Sequence, residues 1–205
     1  MIALYGMPRS RSTRALWAAE EAGLPYEFRR LDAQQGELRR PDFLALNAGG
    51  KVPVLVDEDF VLTESGAIVT WIAEQAPALG LVPAAGSRAR AHYDQWLLFV
   101  LTELEQPLWQ AAKHTFVLPE KLRISEVLPV CAREFGRAAQ VLAQGLSDRE
   151  FLVGDAFTMA DLLAGHTLAW ARQQRLPLEP ENLQAYAERL WARPALARAM
   201  AREKA

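Results

Sequence analysis

The sequence predicts an α/β domain followed by an all-α domain. Over residues 1–76, segments with the alternating pattern of strands are interleaved with segments of helical periodicity, whereas residues 87–205 have helical periodicity throughout. Between them lies a stretch rich in residues that disrupt helices and strands, namely Pro77, Gly80, Pro83 and Gly86. We therefore predict two domains, at residues 1–76 and 87–205, joined by a linker at 77–86.

The first domain has the predicted element order βαβαββα. Its strands are expected at residues 2–5, 27–31, 54–57 and 60–63, and its helices at 12–22, 41–46 and 65–75. Leu16, Ala19 and Ala22 recur at helical spacing in the first helix, and Gly23 is placed to end it as a C-terminal cap. A right-handed first crossover and a final hairpin make this arrangement thioredoxin-like.

The second domain is predicted to contain helices at residues 87–114, 122–146, 159–174, 180–192 and 194–202. Pro129 either bends the second of these helices or marks its true start, because proline is tolerated best in a first turn. Thr158 and Asp161 form the sequence pattern of a capping box, flanked by Phe157 and Leu162 as a hydrophobic staple. We expect Asp161 to have this structural role and not to act as an acid or base.

Composition limits the classes of ligand. Of the 205 residues, 51% are hydrophobic, and 23 Lys and Arg against 25 Asp and Glu give a formal net charge of −2. Such a chain can bury substantial cores and has no positive field to attract nucleic acid or an anionic membrane. The single cysteine, Cys131, excludes an internal disulfide, and no Cys/His cluster is spaced to hold a metal. We expect a cytoplasmic protein with a small ligand, and neither nucleic acid nor a membrane as partner.

The run Lys51-Val52-Pro53-Val54-Leu55-Val56 is the most informative segment. A proline opens an apolar strand there, and Glu64 and Ser65 follow at the start of a predicted helix. An extended backbone beside a helix N-terminus can pair with a peptide main chain and hold a carboxylate, so the segment favours a small-peptide ledge. Taken alone, Glu64 and Ser65 could equally form an ordinary helix cap.

Together with the segment Ser10-Arg11-Ser12-Thr13-Arg14 and the Thr158/Asp161 box, these motifs resemble the cytosolic glutathione transferase superfamily over nearly the whole chain. The first of these segments is similar to the Ser-x-x-Thr/Cys-Arg pattern of its phi and theta-like classes, which indicates a serine-type enzyme. The resemblance implies a homodimer that binds glutathione in the first domain as co-substrate, without a further cofactor, and a small hydrophobic electrophile mainly in the second.

The resemblance also implies the roles of individual site residues. The bond between Val52 and Pro53 would be cis, and the Val52 backbone would pair with glutathione. Glu64 would contact the ammonium and Ser65 the carboxylate of the γ-glutamyl group, while Lys51 and Arg39 could neutralise the glycyl carboxylate. Two positions depart from the pattern: Leu38 stands where related sequences often have histidine, and Ala48 stands where they have proline.

Ser10 is our candidate for catalysis, because its hydroxyl can donate to the glutathione sulfur at the N-terminus of the first helix. Ser12 is an alternative, although we expect it to cap that helix, and Tyr5 another, although we expect it to pack at the end of a strand. Nearby arginines could attract anionic glutathione, with an internal salt bridge as the alternative for Arg14; these are Arg9, Arg11 and Arg14.

Other conspicuous residues carry structural expectations. Cys131 is expected in the core, and the three histidines have no partners at metal-like spacing. Trp109, Lys113 and Phe116 could face an electrophile or serve packing or dimer contacts. Two other function classes remain: a regulatory or protein-interaction module without turnover, and a glutathione-dependent isomerase or dehalogenase, against which the missing Ser-Ser-Cys run argues.

Overall fold

The computed structural model describes residues 1–204 and contains a four-stranded sheet in the order β2-β1-β3-β4. The strands are β1 (Ile2–Gly6), β2 (Tyr26–Arg30), β3 (Val54–Asp57) and β4 (Phe60–Thr63). β1 runs parallel to β2 and antiparallel to β3, and β3 and β4 form an antiparallel hairpin. The predicted thioredoxin-like arrangement is confirmed.

Three helices accompany this sheet: α1 (Ser12–Ala22), α2 (Pro41–Leu46) and α3 (Ser65–Glu74). The middle of α1 is fully buried, with Leu16, Trp17 and Ala18 all at 0% exposure. Gly23 ends α1 with φ 65°, in the left-handed region where glycine costs least, and its N–H donates to Ala19. The predicted helix and its cap are therefore confirmed.

The remaining helices are α4 (Arg88–Phe99), α5 (Gln106–Ala112), α6 (Leu128–Leu146), α7 (Met159–Gln173), α8 (Glu181–Trp191) and α9 (Pro194–Arg202). A π-helical turn at Val100–Leu104 interrupts the helix that the sequence predicts as continuous over 87–114, and a second π-helical turn, Lys113–Val117, lies at its end. The predicted start of the next helix at residue 122 is wrong, because α6 begins at Leu128 and holds Pro129 in its first turn, where no backbone donor is lost. Within residues 1–204, every helix falls short of the length and apolar character needed to cross a bilayer.

The capping box at the start of α7 is confirmed. The Thr158 N–H donates to the Asp161 carboxylate at 2.8 Å, and the Thr158 side chain caps the helix in return. Asp161 is at 0% exposure and accepts two further hydrogen bonds at 2.8 Å, from the Leu152 N–H and the Tyr186 hydroxyl. This carboxylate therefore joins the loop before α7 to α8, as well as capping α7.

The chain divides into two compact units. The first comprises Met1–Val82 together with the residues from Ala192 onward, and the second is Pro83–Trp191. The sequence had placed α9 in the helical domain, whereas α9 packs on α1 within the first unit. Two arginines explain this: Arg193, just before α9, binds both oxygens of Glu21 at 2.6 and 2.8 Å, and Arg198 of α9 binds Glu20 at 2.7 Å.

Candidate active site

The strand register brings the separate sequence motifs to one end of the sheet. Tyr5 of β1 lies opposite Val54 of β3, and Val54 lies opposite Thr63 of β4. Because β3 runs antiparallel to both neighbours, the residues before Val54 emerge at the same end as the residues after Tyr5 and Thr63. The loop that holds Ser10, the Val52-Pro53 ledge and the Glu64-Ser65 helix start therefore meet at this end, which we call the binding edge.

The ledge presents unpaired backbone. Its Val52-Pro53 peptide bond is cis, and among the described residues no hydrogen bond satisfies the Val52 N–H or C=O. The loop before it is held by Asn47, whose side chain donates to the Lys51 carbonyl and accepts from the Gly49 N–H, each at 2.9 Å. Asn47 thus fixes the loop although alanine follows it, and the ledge can pair with an extended peptide.

Arg39 lies against this ledge because of Gly50. A Cβ atom on Gly50 would come within 2.7 Å of the Arg39 guanidinium and 2.8 Å of the Leu38 carbonyl oxygen, and Gly50 has φ 58°. Glycine is therefore required there by space as well as by backbone conformation. Arg39 and Lys51 are both exposed, and no acidic side chain of the described residues pairs with either. Their positive charges flank the ledge.

The start of α3 forms a second part of the binding edge. Glu64 is exposed and has φ 67°, a left-handed conformation that costs a residue with a side chain about 1 to 3 kcal/mol. Ser65, the first residue of α3, is 5% exposed. Its hydroxyl accepts from the Arg14 guanidinium at 3.0 Å and so keeps its own proton for an acceptor.

Arg14, one of the arginines expected to attract anionic glutathione, makes a contact that the sequence did not indicate. Its side chain is fully buried, at 0% exposure, and reaches from α1 to Ser65 at the start of α3. A buried guanidinium beside a helix N-terminus adds positive charge where a carboxylate would bind. No local pattern could have revealed this contact, since the two residues are distant in sequence.

Hydrogen bonds among the hydroxyls of Ser10 and Ser12 and the backbone of Met7 hold the loop that contains Ser10. Ser10 Oγ lies 2.7 Å from the Met7 carbonyl and 2.9 Å from Ser12 Oγ, and it accepts from the Ser12 N–H at 3.1 Å. The Ser10 side chain is half-buried. Because the hydroxyl has one proton, donation to a sulfur would replace its bond to Met7 or Ser12.

The two alternative residues are less suited to contact a bound thiol. Ser12 was expected to cap α1 and does not: it is the first residue of the helix, is 1% exposed, and accepts from the Met7 N–H at 3.2 Å. Tyr5 lies on the other face of β1 from Gly6, which packs on Ser12. The Tyr5 hydroxyl accepts from Arg29 at 2.6 Å. Of the three residues, Ser10 is the one that is both partly exposed and placed just before α1.

Two family models match the chain. One, described as "Glutathione S-transferase, N-terminal domain", covers residues 1–74, and the other, described as "Glutathione S-transferase, C-terminal domain", covers residues 106–194. The chain is 32% identical to Glutathione S-transferase 3 of Zea mays over 219 residues, covering 97% of this chain and 92% of the relative.

A bacterial relative and a solved structure are similarly close. Disulfide-bond oxidoreductase YfcG of Escherichia coli (strain K12) is 30% identical over 209 residues, covering 98% of this chain and 94% of the relative. The structure of a ternary complex of BphK, a bacterial GST, superposes with a TM-score of 0.87 at 30% identity, covering 99% of this chain and all of that one. Sequence and fold therefore agree over nearly the whole length.

Proposed function

Because this chain belongs to the glutathione S-transferase family, we propose that it binds glutathione at the binding edge, activates its thiol, and transfers the sulfur to a small electrophilic substrate. The convergence of the Ser10 loop, the ledge and the Glu64-Ser65 helix start at one end of the sheet carries this proposal. A regulatory module without turnover is not favoured, since relatives that match nearly the full chain are named as transferases.

Glutathione is held mainly by its backbone and its charged ends. The unpaired Val52 N–H and C=O bond the cysteinyl main chain as a further strand would. The Ser65 hydroxyl and N–H receive the γ-glutamyl carboxylate, with the positive charge of Arg14 behind them. The exposed Glu64 carboxylate contacts the ammonium, and Arg39 and Lys51 neutralise the glycyl carboxylate.

Ser10 activates the bound thiol. A free thiol has a pKa of about 8.5, so only a few per cent is thiolate at neutral pH. A hydrogen bond from the Ser10 hydroxyl and the N-terminal dipole of α1 both stabilise the thiolate. A decrease of about two pKa units requires roughly 2.7 kcal/mol, which these two interactions can supply together. The thiolate then attacks the electrophilic atom of the second substrate and displaces its leaving group.

The substitution Ser10→Ala tests the catalytic assignment. We expect the pKa of bound glutathione to rise by about one unit or more, with less than a threefold change in affinity, because the other contacts remain. Thiolate absorbance across a pH titration, followed by turnover of a halogenated nitrobenzene, measures both effects.

Ser10→Thr is the matched variant, since it keeps the hydroxyl and should keep most of the activity. Unchanged thiolate absorbance in Ser10→Ala would show that another group activates the thiol. Failure of the wild type to bind glutathione would reject the whole proposal.

The same proposal includes a homodimer that works in the cytoplasm and a small hydrophobic electrophile held by the helical domain. The edge strand β4 supports the homodimer, because Phe60 and Val61 are 41% and 40% exposed there and Phe60 packs on Trp71 of α3. A reducing compartment suits the free thiols of Cys131 and of the co-substrate.

A second candidate function is glutathione-dependent disulfide exchange, which the similarity to the disulfide-bond oxidoreductase of Escherichia coli favours. The activated glutathione thiolate would attack a disulfide, form a mixed disulfide and release the other sulfur as a thiol. Assays with a small disulfide and a halogenated nitrobenzene, run side by side on wild type and Ser10→Ala, would compare the two activities.

A further inference from the structure

We propose that Glu203, which follows α9, is a positioning residue for Ser10. Its carboxylate binds Arg9, which directly precedes Ser10, and Thr13, three residues after Ser10, and so fixes the loop from which the serine acts. This inference rests on the proposed function, in which Ser10 activates glutathione.

The contacts of Glu203 bracket the serine. One carboxylate oxygen, Oε1, accepts from the Thr13 hydroxyl at 2.5 Å, and the other, Oε2, accepts a longer bond of 3.4 Å from the Arg9 N–H. Thr13 is also tied to Ser10 itself, because its N–H and its hydroxyl lie 3.2 and 3.0 Å from the Ser10 carbonyl oxygen. A short path of hydrogen bonds therefore runs from Glu203 to both sides of Ser10.

The backbone at Arg9 shows why such support is needed. Arg9 has φ 56°, a left-handed conformation that is uncommon and unfavourable for a residue with a side chain. Such a conformation persists only where the surroundings hold it. The bond from the Arg9 N–H to Glu203 lies at this strained residue and stabilises it.

The location of Glu203 argues for more than a folding role. The residue Glu203 is 6% exposed, and no basic side chain among residues 1–204 forms an ion pair with it. Burying a carboxylate without an ion-pair partner is unfavourable. α9 is already attached to α1 by the pairs of Arg193 with Glu21 and Arg198 with Glu20. Glu203 instead contacts the Arg9 N–H of the Ser10 loop and the Thr13 hydroxyl in the first turn of α1, the two points between which Ser10 is held.

Glu203→Ala tests the proposal. We expect the pKa of bound glutathione to rise by at least half a unit and kcat at neutral pH to fall about tenfold, while KM for glutathione stays within twofold. The ledge and the start of α3 are untouched, which is why affinity should change little. Glu203→Gln keeps one acceptor oxygen for Thr13 and loses the second acceptor, so it should show a smaller effect.

Variants of Thr13 test the same path independently. Thr13→Val removes the hydroxyl and should reproduce the rise in thiol pKa, whereas Thr13→Ser keeps it and should restore the wild-type value. The Glu203→Ala and Thr13→Val double variant should be little worse than Glu203→Ala alone, because both changes remove the bond between Glu203 and Thr13.

Arg198→Ala is the matched control, since it removes a polar contact of α9 and leaves Glu203 in place. It should lower stability slightly without changing the thiol pKa. The same pKa of bound glutathione and the same changes in kcat and KM in Glu203→Ala and Arg198→Ala would show that Glu203 has only a structural role. That result would overturn the inference.

A second measurement does not depend on catalysis. Amide resonances of Arg9 and Ser10 should shift, and the Arg9 N–H should exchange faster with solvent, in Glu203→Ala and not in Arg198→Ala. Equal exchange rates in the two variants would overturn the inference. A wild type that binds glutathione without ionising it would reject the proposed function, and the Arg9 measurement would still decide the role of Glu203.

Discussion

At the scale of single residues, Gly50 sets the shape of the ledge through its missing side chain. The space that a Cβ would need is occupied by the Arg39 guanidinium and the Leu38 carbonyl. Gly36 has a similar backbone, with φ 71°, and nothing within 4 Å of the corresponding position. Substituting Gly36 therefore tests the cost of backbone conformation alone, whereas substituting Gly50 adds the cost of a steric contact.

We predict that Gly50→Ala weakens glutathione binding at least tenfold, because Arg39 and the ledge must move apart. Gly36→Ala should lower the free energy of unfolding by about 1 kcal/mol for the left-handed conformation, and Gly50→Ala by more, because its Cβ also meets the Leu38 carbonyl. Only Gly50→Ala should alter the dissociation constant, measured by calorimetric titration. Equal affinities of the two variants for glutathione would show that binding does not depend on the position of Arg39 against Gly50.

At the scale of elements, the start of α7 depends on one buried carboxylate. Burial raises the pKa of Asp161, and the hydrogen bonds from Leu152, Thr158 and Tyr186 oppose that effect. Replacing an acceptor that serves several buried donors leaves some of them unpaired, which costs about 1 to 3 kcal/mol for each group.

We therefore predict that Asp161→Asn lowers the free energy of unfolding by about 2 kcal/mol or more. Asp155→Asn is the matched control, because Asp155 is exposed in the preceding turn and makes no hydrogen bond within the described part of the chain. Urea denaturation of both variants should show a change of about 0.5 kcal/mol or less for the control. A similar loss of stability in both variants would show that the buried hydrogen bonds of Asp161 do not contribute specially to stability.

The element α9 contributes a pH dependence through the residue that follows it. Burial raises the pKa of Glu203 above its ordinary value, so the folded state holds the proton more tightly than the unfolded state does. The stability that results is fully present below the ordinary pKa, about 4.3, and is lost as pH rises through the folded value.

We predict the pH dependence of the difference in free energy of unfolding between the wild type and Glu203→Gln. This difference should fall as pH rises from about 4 and should level off above the pKa of Glu203 in the folded state. Urea denaturation of both proteins across this range measures the difference, and the neutral glutamine provides the reference without titration at this position. A difference that rises with pH would contradict the direction of the pKa shift.

At the scale of the whole molecule, local patterns predicted elements better than they predicted contacts. The strands β3 and β4 and the helices α1, α2 and α9 occupy the residues expected from periodicity and turn residues. The bond from Arg14 to Ser65 and that from Thr13 to Glu203 were missed, because they join residues 51 and 190 positions apart. The roles of Ser10, Arg39, Lys51, Val52, Glu64 and Ser65 in binding or catalysis stay predictions.

Association of two copies is also a property of the whole molecule. We predict that Phe60→Lys weakens the proposed homodimer at least tenfold, because a charge would replace an exposed aromatic side chain on the edge strand. Sedimentation at several protein concentrations measures this. Leu79→Lys is the control, since Leu79 is 54% exposed in a short turn outside the sheet and should not affect association. A protein that is monomeric as wild type would reject the homodimer.

The return of α9 to the first unit has a consequence for synthesis on the ribosome. Val82 is made about 110 residues before Ala192, which at bacterial and eukaryotic rates corresponds to roughly 5 to 20 seconds. During that interval the sheet and its first helices have emerged, yet the face of α1 that receives α9 is still open to solvent. The first unit can therefore be completed only after the whole of the second unit has been translated.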